Sequence, residues 1–188
     1  MDPRIQEMLD HHEIRRTLAI YCHACDRGDA DLMANVYTGA ESFDDHGRVK
    51  ASGPEYARAM TQIIRERTDA IWHSLGQSLI QVDGDEASAE TFFLAWMRLP
   101  GTGNAPRLNQ LAGRFLDRLH RIDGSWKIHH RTCVRDTSIS LPVFEDDYAD
   151  FNFVQGTRDT QDLGVAMLGL AHQATLNRGS RSDTERDK

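Results

Sequence analysis

Asp26, near the end of an amphipathic first helix, and His73, on an apolar strand, are the two residues of this chain best equipped to do chemistry together. A carboxylate that holds a neutral imidazole in one tautomer turns the other ring nitrogen into a positioned proton acceptor. That is the equipment needed to remove a proton next to a leaving group. If the two meet in a pocket, the chain is an enzyme. Each also has a plainer alternative: Asp26 beside Arg27 can simply end a helix, and His73 can be a core histidine bonded to a backbone carbonyl.

The other reactive residues point less clearly. Cys22-His23-Ala24-Cys25 has the outline of a redox or zinc motif, but it lies toward the end of a helical pattern. A redox CxxC opens a helix after a strand, and a structural zinc site needs a second Cys or His pair. The pairs His11-His12 and His129-His130 are sequence neighbours, which point to different faces of a helix or strand and form no chelate by themselves. His23 is a weaker candidate at the pocket end of the first helix. Nothing calls for a metal, and no glycine loop precedes a helix in the phosphate-cradling manner. The expected chemistry is cofactor-free.

The elements that must position Asp26 and His73 follow from periodicity. Residues 5–26 place Ile5, Met8, Leu9, His12, Ile14, Leu18, Ala19, Tyr21 and Cys22 at helical three and four spacing. Gly28 and Asp29 end that helix. A short second helix is expected over 30–37, capped by Asp29 or Asp31, followed by an extended piece at 41–43 and a turn at Gly47. Ser52-Gly53-Pro54 starts a third helix, with Tyr56, Ala59, Met60, Ile63 and Ile64 inward. From Ala70 the pattern changes to strands at 71–82, 87–99, 108–121 and 126–134, with Asp83-Gly84-Asp85 and Asp123-Gly124 as hairpin turns. Helices followed by an antiparallel meander define an α+β fold, its sheet's concave face covered by helices. Beyond Thr137, Leu141-Pro142-Val143-Phe144 and the acidic run 145–147 are expected to wrap the outside. A short helix is expected over 163–176, and a frayed tail from Arg178.

The chain has 188 residues, 39% hydrophobic and 27% charged, enough for one domain with a sizeable core. A formal charge of -7 without clustered Lys and Arg argues against nucleic acid. No apolar run approaches the ~20 residues that span a bilayer, and the first residues lack a secretory pattern, so a cytoplasmic location is expected. The three cysteines, Cys22, Cys25 and Cys133, are expected to be reduced thiols.

A long first helix carrying Tyr21 and Asp26, then His73 on the first strand after the helices, and then the strand pair Gly113-Arg-Phe-Leu-Asp-Arg-Leu119 and Asp123-Gly-Ser-Trp-Lys-Ile-His-His-Arg131 together resemble one family. It is the SnoaL-like branch of the nuclear transport factor 2-like superfamily, which includes polyketide cyclases, scytalone dehydratase, bile acid dehydratase and hexachlorocyclohexane dehydrochlorinase. The resemblance spans roughly residues 5–137. It implies a cone-shaped, cystatin-like curved antiparallel sheet wrapped around N-terminal helices, with an apolar pocket and a homodimer or higher homo-oligomer packed through the sheet. Residues 1–140 would form this domain, 141–177 an extension packed on it, and 178–188 a flexible tail.

Carried over residue by residue, the resemblance makes Asp26 and His73 a proton-abstracting dyad. Tyr21 becomes a donor to a leaving oxygen, and Arg131 a pocket-lining arginine of the last strand. One further polar group seen on a middle strand in some members has no counterpart here, where Trp96 or Met97 stands. Strict alternation from Trp126 and Ile128 sends Arg131 to the opposite face, so a pocket role requires a β-bulge. Phe93, Trp96, Met97, Phe115 and Leu119 are the side chains on offer to line a site for a small, apolar and cyclic substrate. The activity implied is that of a lyase, dehydratase-like, or an isomerase. The alternative is a module that binds or supports without catalysis, like the β subunits of ring-hydroxylating dioxygenases.

Overall fold

The computed structural model describes residues 2–101, 105–144, 149–159 and 161–170. Helix α1 (Pro3–Arg27) begins at Asp2, whose carboxylate accepts the Arg4 amide at 2.9 Å, with Pro3 in the first turn, where its missing N–H costs nothing. Its buried stripe is Asp10, Ile14, Leu18, Tyr21, Cys22 and Cys25. The expected inward set is corrected at its start: Ile5, Met8 and Leu9 are exposed, as are His12 and Ala19, and the packed face begins at Asp10. Gly28, in the left-handed conformation, ends α1, and Asp29 then caps the five-residue α2 (Ala30–Ala34) by accepting the Leu32 amide at 2.9 Å.

Two short strands follow, β1 (Phe43–Asp45) and β2 (Lys50–Ala51), before α3 (Gly53–Arg67). At the head of α3 the Glu55 carboxylate accepts from the Ser52 hydroxyl at 2.8 Å. The face that α3 buries is Tyr56, Ala57, Thr61 and Ile64, so Ala57 and Thr61 take the fully buried places expected of Ala59 and Ile63.

Four long strands make the meander: β3 (Ala70–Asp83), β4 (Glu86–Leu99), β5 (Arg107–Ile122) and β6 (Ser125–Pro142). The sheet order is β2-β1-β6-β5-β4-β3, antiparallel except that β1 runs parallel to β6. Asp123 and Gly124 both have positive φ, 48° and 76°, as the two-residue turn between β5 and β6 requires. The last strand is longer than its apolar pattern suggests. Residues 135–142 continue it, with Leu141 opposite Leu108, instead of wrapping the outside as a loop. Backbone pairing to β5 holds this exposed end, which is why no burial pattern announces it.

Three irregularities bend the sheet, one of them in β6 where Ala112 pairs with Thr137 but Gly113 with Arg135. In β3 the pairing shifts between Leu75 and Ser78. In β6, Arg118 pairs with His130 while Leu119 pairs with Ile128, so His129 is an extra residue. This bulge reverses the alternation and brings Arg131 to the buried face with Trp126 and Ile128. The core lies between this concave face and α1–α3, built on Ile14, Leu18, Tyr21, Met33, Tyr56, Phe115, Leu119 and Ile128.

After β6 come a 3-10 turn (Ala149–Phe151) and α4 (Leu163–Leu168). Arg158 donates to the Thr68 carbonyl at 2.8 Å, and Arg27 donates to the Thr157 carbonyl and to Asp162, at 3.0 and 2.9 Å. Thr157, Arg158 and Asp162 are therefore tied to the ends of α1 and α3. The acidic run 145–147, the second half of the expected last helix and the expected tail lie outside the described residues. Among the described residues, no helix is long and apolar enough to cross a membrane.

Candidate functional site

The structure brings Asp26 and His73 together. Asp26 stands in the last turn of α1, and His73 lies two residues after β3's first buried residue, Ile71, on the same face. One carboxylate oxygen accepts the His73 backbone N–H at 3.0 Å, and the other faces His73 Nδ1 at 2.5 Å. The backbone contact fixes where the strand passes the helix, and the ring contact fixes the tautomer. A carboxylate accepts, so Nδ1 carries the proton and the lone pair is left on Nε2. No described residue hydrogen-bonds that Nε2, and the side chain keeps 9% of its surface accessible.

Strand pairing gives the neighbourhood. His73 pairs with Ala95, which pairs with Leu111, so the three share a face; Leu75 pairs with Phe93, and Ile71 with Met97. The Phe93 ring lies 6.3 Å from the His73 ring and stacks on Phe115 at 4.2 Å. Of the five expected lining residues, Phe93, Phe115 and Leu119 face the interior and are almost fully buried, and Met97 is half-buried beside them. Trp96 is not with them. Unbroken β4–β5 pairing places it on the sheet's other face, opposite Trp72, which is 56% exposed.

Arg131 is entirely buried. Its Nε and one Nη donate to Asp117 at 2.7 and 2.8 Å, and its guanidinium carbon sits 4.1 Å from the centres of both the Tyr21 and Phe115 rings. The remaining Nη1 has no partner, a buried donor aimed at no described acceptor. Burial opposes the charge, but Asp117, and after it the Tyr21 and Tyr37 phenols, hold the arginine's pKa well above its ordinary value, so it is a permanent cation.

Tyr21 does not stand alone at the end of α1. Its hydroxyl is 3.0 Å from that of Tyr56 and 3.4 Å from His46 Nε2. His46 Nδ1 in turn donates to Asp44, which also accepts the Tyr37 hydroxyl at 2.5 Å. Burial first, and then neighbouring Tyr56 and Asp44, push the Tyr21 phenol well above its ordinary range, so it stays a neutral donor.

This second carboxylate–imidazole pair was missed in the sequence. The signal available was Asp44-Asp45-His46-Gly47, in which alternation puts Asp44 and His46 on one side of a strand running into a turn. Asp117, another interior polar group, was hidden in the strand quoted for the resemblance.

The cysteines are free, with Cys22 and Cys25 buried. Cys25 Sγ, Asp26 and His73 place their ligand atoms within 4.8 Å of one another, the one such group of three among the described residues. These residues do not make a good cation site. Burial and then Asp26 push the Cys25 thiol well above its usual range, so it would remain protonated, and Asp26 and His73 Nδ1 are turned onto each other. Cys22 is likewise pushed up by burial, to about 12. His23 is half-buried with Nε2 unpartnered; burial and then Arg27 lower its pKa.

The SnoaL-like domain family matches residues 6–132, about two thirds of the chain, and the chain belongs to it, within the nuclear transport factor 2-like superfamily. No curated protein matches by sequence. Among solved structures, a type 2 hexachlorocyclohexane dehydrochlorinase is similar with a TM-score of 0.68 at 15% identity, covering 78% of this chain and 99% of its own. A candidate scytalone dehydratase from Novosphingobium aromaticivorans has a TM-score of 0.63 at 16% identity, covering 79% and 97%. A function-unknown protein from Mycobacterium tuberculosis has a TM-score of 0.61 at 20% identity, covering 93% of each chain. Likeness at these identities shows the fold, which hosts unrelated functions, so the activity has to be argued from the site.

Proposed function

We propose that the protein is a cofactor-independent lyase or isomerase in which His73 Nε2 takes a proton from carbon and Asp26 stabilises the imidazolium that forms. The observation that carries this reading is the Asp26–His73 contact, which spends Nδ1 on the carboxylate and leaves Nε2 without a partner among the described residues. Tyr21, a neutral donor, and Arg131, with an unused buried N–H, are the groups suited to a departing or enolate oxygen. Leu75, Met97 and Leu111, half-buried on the His73 face, favour an apolar and cyclic substrate. The dehydrochlorinase and dehydratase neighbours agree with a lyase. The proposal includes a cytoplasmic homo-oligomer packed through the sheet's outer face, where Trp72, Leu79 and Leu94 are exposed.

One observation favours the rival reading of a binding or supporting module: Phe115, Leu119 and Tyr56 fill much of the interior, each no more than 1% exposed. The two readings separate in deuterium oxide. Incubated with a set of cyclic ketones, the wild type should exchange protons at the carbon next to the carbonyl, read by NMR. His73→Ala, folded by circular dichroism, should not. Exchange that survives in His73→Ala, or binding of these ketones without exchange, supports the module.

A further inference from the structure

We propose that the His129 imidazole, stacked on His120, is the side chain that holds the β6 bulge and so positions Arg131, and that acid loosens this hold. The inference concerns the arginine and stands whether or not His73 acts as a base.

Between Trp126 and Arg135, His129 is the one residue that β5 leaves unpaired. The other edge of β6 does the same: Tyr37 bridges Ile128, and pairing resumes between Phe43 and His130. Both neighbours therefore step over one position, and ladder pairing fixes the residues beside it but not the extra residue itself. What meets His129 is side chain. The Thr38 hydroxyl lies 3.1 Å from its Nδ1, and the His120 ring lies 4.1 Å away between centres, with 16° between the two planes. Thr38 is itself anchored, its amide donating to the Ile128 carbonyl at 3.0 Å. A register slip that absorbed the extra residue would turn Arg131 to the outer face and leave Asp117 buried without its counterion. The pin on His129 thus bears directly on the cation.

Two stacked imidazoles repel once both are charged. The groups around the pair carry both signs. Glu41, ahead of β1, and Glu86 on β4 favour a charged His129, while His120 and His130 oppose it. Glu7 of α1, Asp83 of β3 and Arg118 of β5 line the same hollow as His120 and Glu86, and Lys127 stands opposite His120 in the strand pairing. Burial first, and then His120, leave the His129 pKa below its ordinary value. A histidine depressed in the folded state takes up its proton more readily once released. Its hold on the bulge is therefore complete above the ordinary value of about 6.5, and is lost progressively as pH falls from there to the lower folded value.

The test is hydrogen exchange of the Arg131 Nε–H, donated to Asp117 at 2.7 Å, followed by NMR on the full chain at pH 7.5 and at pH 5.5. Protection is taken relative to a free guanidinium at the same pH. In the wild type it should fall about fivefold or more on acidification, while the Trp126 Nε1–H, donated to Asp10 from the same strand, keeps its protection. In His129→Phe, which keeps a ring on His120 but carries no charge, the fall should be less than about twofold. His129→Gly should lower protection at both pH values, because nothing then pins the extra residue. Should His129→Phe not fold, His120→Phe removes the second imidazole and should flatten the pH dependence in the same way. An equal fall in the wild type and the phenylalanine variant, a fall that Trp126 shares, or unchanged protection in His129→Gly overturns the proposal.

Discussion

Helix α1 carries two buried aspartates, and the contrast between them distinguishes scaffold from chemistry. Asp10 is fully used: Arg121 donates to it twice, at 2.6 and 2.9 Å, and Trp126 Nε1 and Gln6 donate at 3.1 Å each. The guanidinium also covers the Trp126 ring at 4.5 Å. Four donor atoms thus converge on the one carboxylate. Asp26 is just as buried, but its partner is an imidazole whose second nitrogen passes the effect onward. The same residue type on the same helix therefore does two jobs, set by whether the partner has a free end.

Arg131 joins the two behaviours, and replacing it is the largest test. Arg131→Met leaves Asp117 buried without its counterion, which costs about 3–5 kcal/mol. Urea unfolding should show that loss, and an Asp117→Leu, Arg131→Met double variant should recover much of it. A single variant as stable as the wild type would mean that the pair contributes only its free Nη1.

Next in size is the exchange of roles between the aspartates. Asp26→Asn should lower turnover by about 10²–10⁴-fold, the range of general acid–base catalysis, because an amide no longer fixes the Nδ1–H tautomer. It should barely move the unfolding midpoint. Asp10→Asn should do the reverse, costing about 2 kcal/mol through its charge-assisted hydrogen bonds and leaving turnover unchanged. Equal losses of both kinds in both variants would erase the distinction.

Acid sharpens the same point. Arg121 above all holds the Asp10 carboxyl below its ordinary range. A group whose folded pKa is depressed contributes stability above its unfolded value, about 4, and loses it as pH falls through the lower folded value. Stability measured between pH 5 and pH 2 should therefore fall more steeply in the wild type than in Asp10→Asn.

How much of this was legible depended on periodicity. The helix-first order and the paired turns were readable because alternation and helical spacing report burial directly, and Asp26 and His73 stood out as polar groups on apolar faces. Arg131 was readable only as a condition: its parity was wrong for the interior, and the extra residue His129 corrects it. Trp96 was misplaced because an aromatic residue on a strand reads as core whichever face it occupies, and β4 keeps strict alternation. Asp44 and His46 escaped because β1 is three residues long, too short to show a period, and its pairing partner lies far along the chain in β6. Residues 135–142 escaped because an exposed strand end is held by backbone bonds, which no side-chain pattern records.

The smallest effect is expected where a carboxylate serves local geometry alone. Asp29 accepts the Leu32 amide at the start of α2. Asp29→Ala removes a helix cap, a change worth about 1 kcal/mol. The thermal midpoint should drop by a few degrees, with turnover and Arg131 Nε–H protection unaltered. Because α2 leads into the segment that carries Thr38, a change in that protection would show that this short helix sets the position of the bulge. The line between structural and chemical aspartates would then run through α2, and not between the two ends of α1.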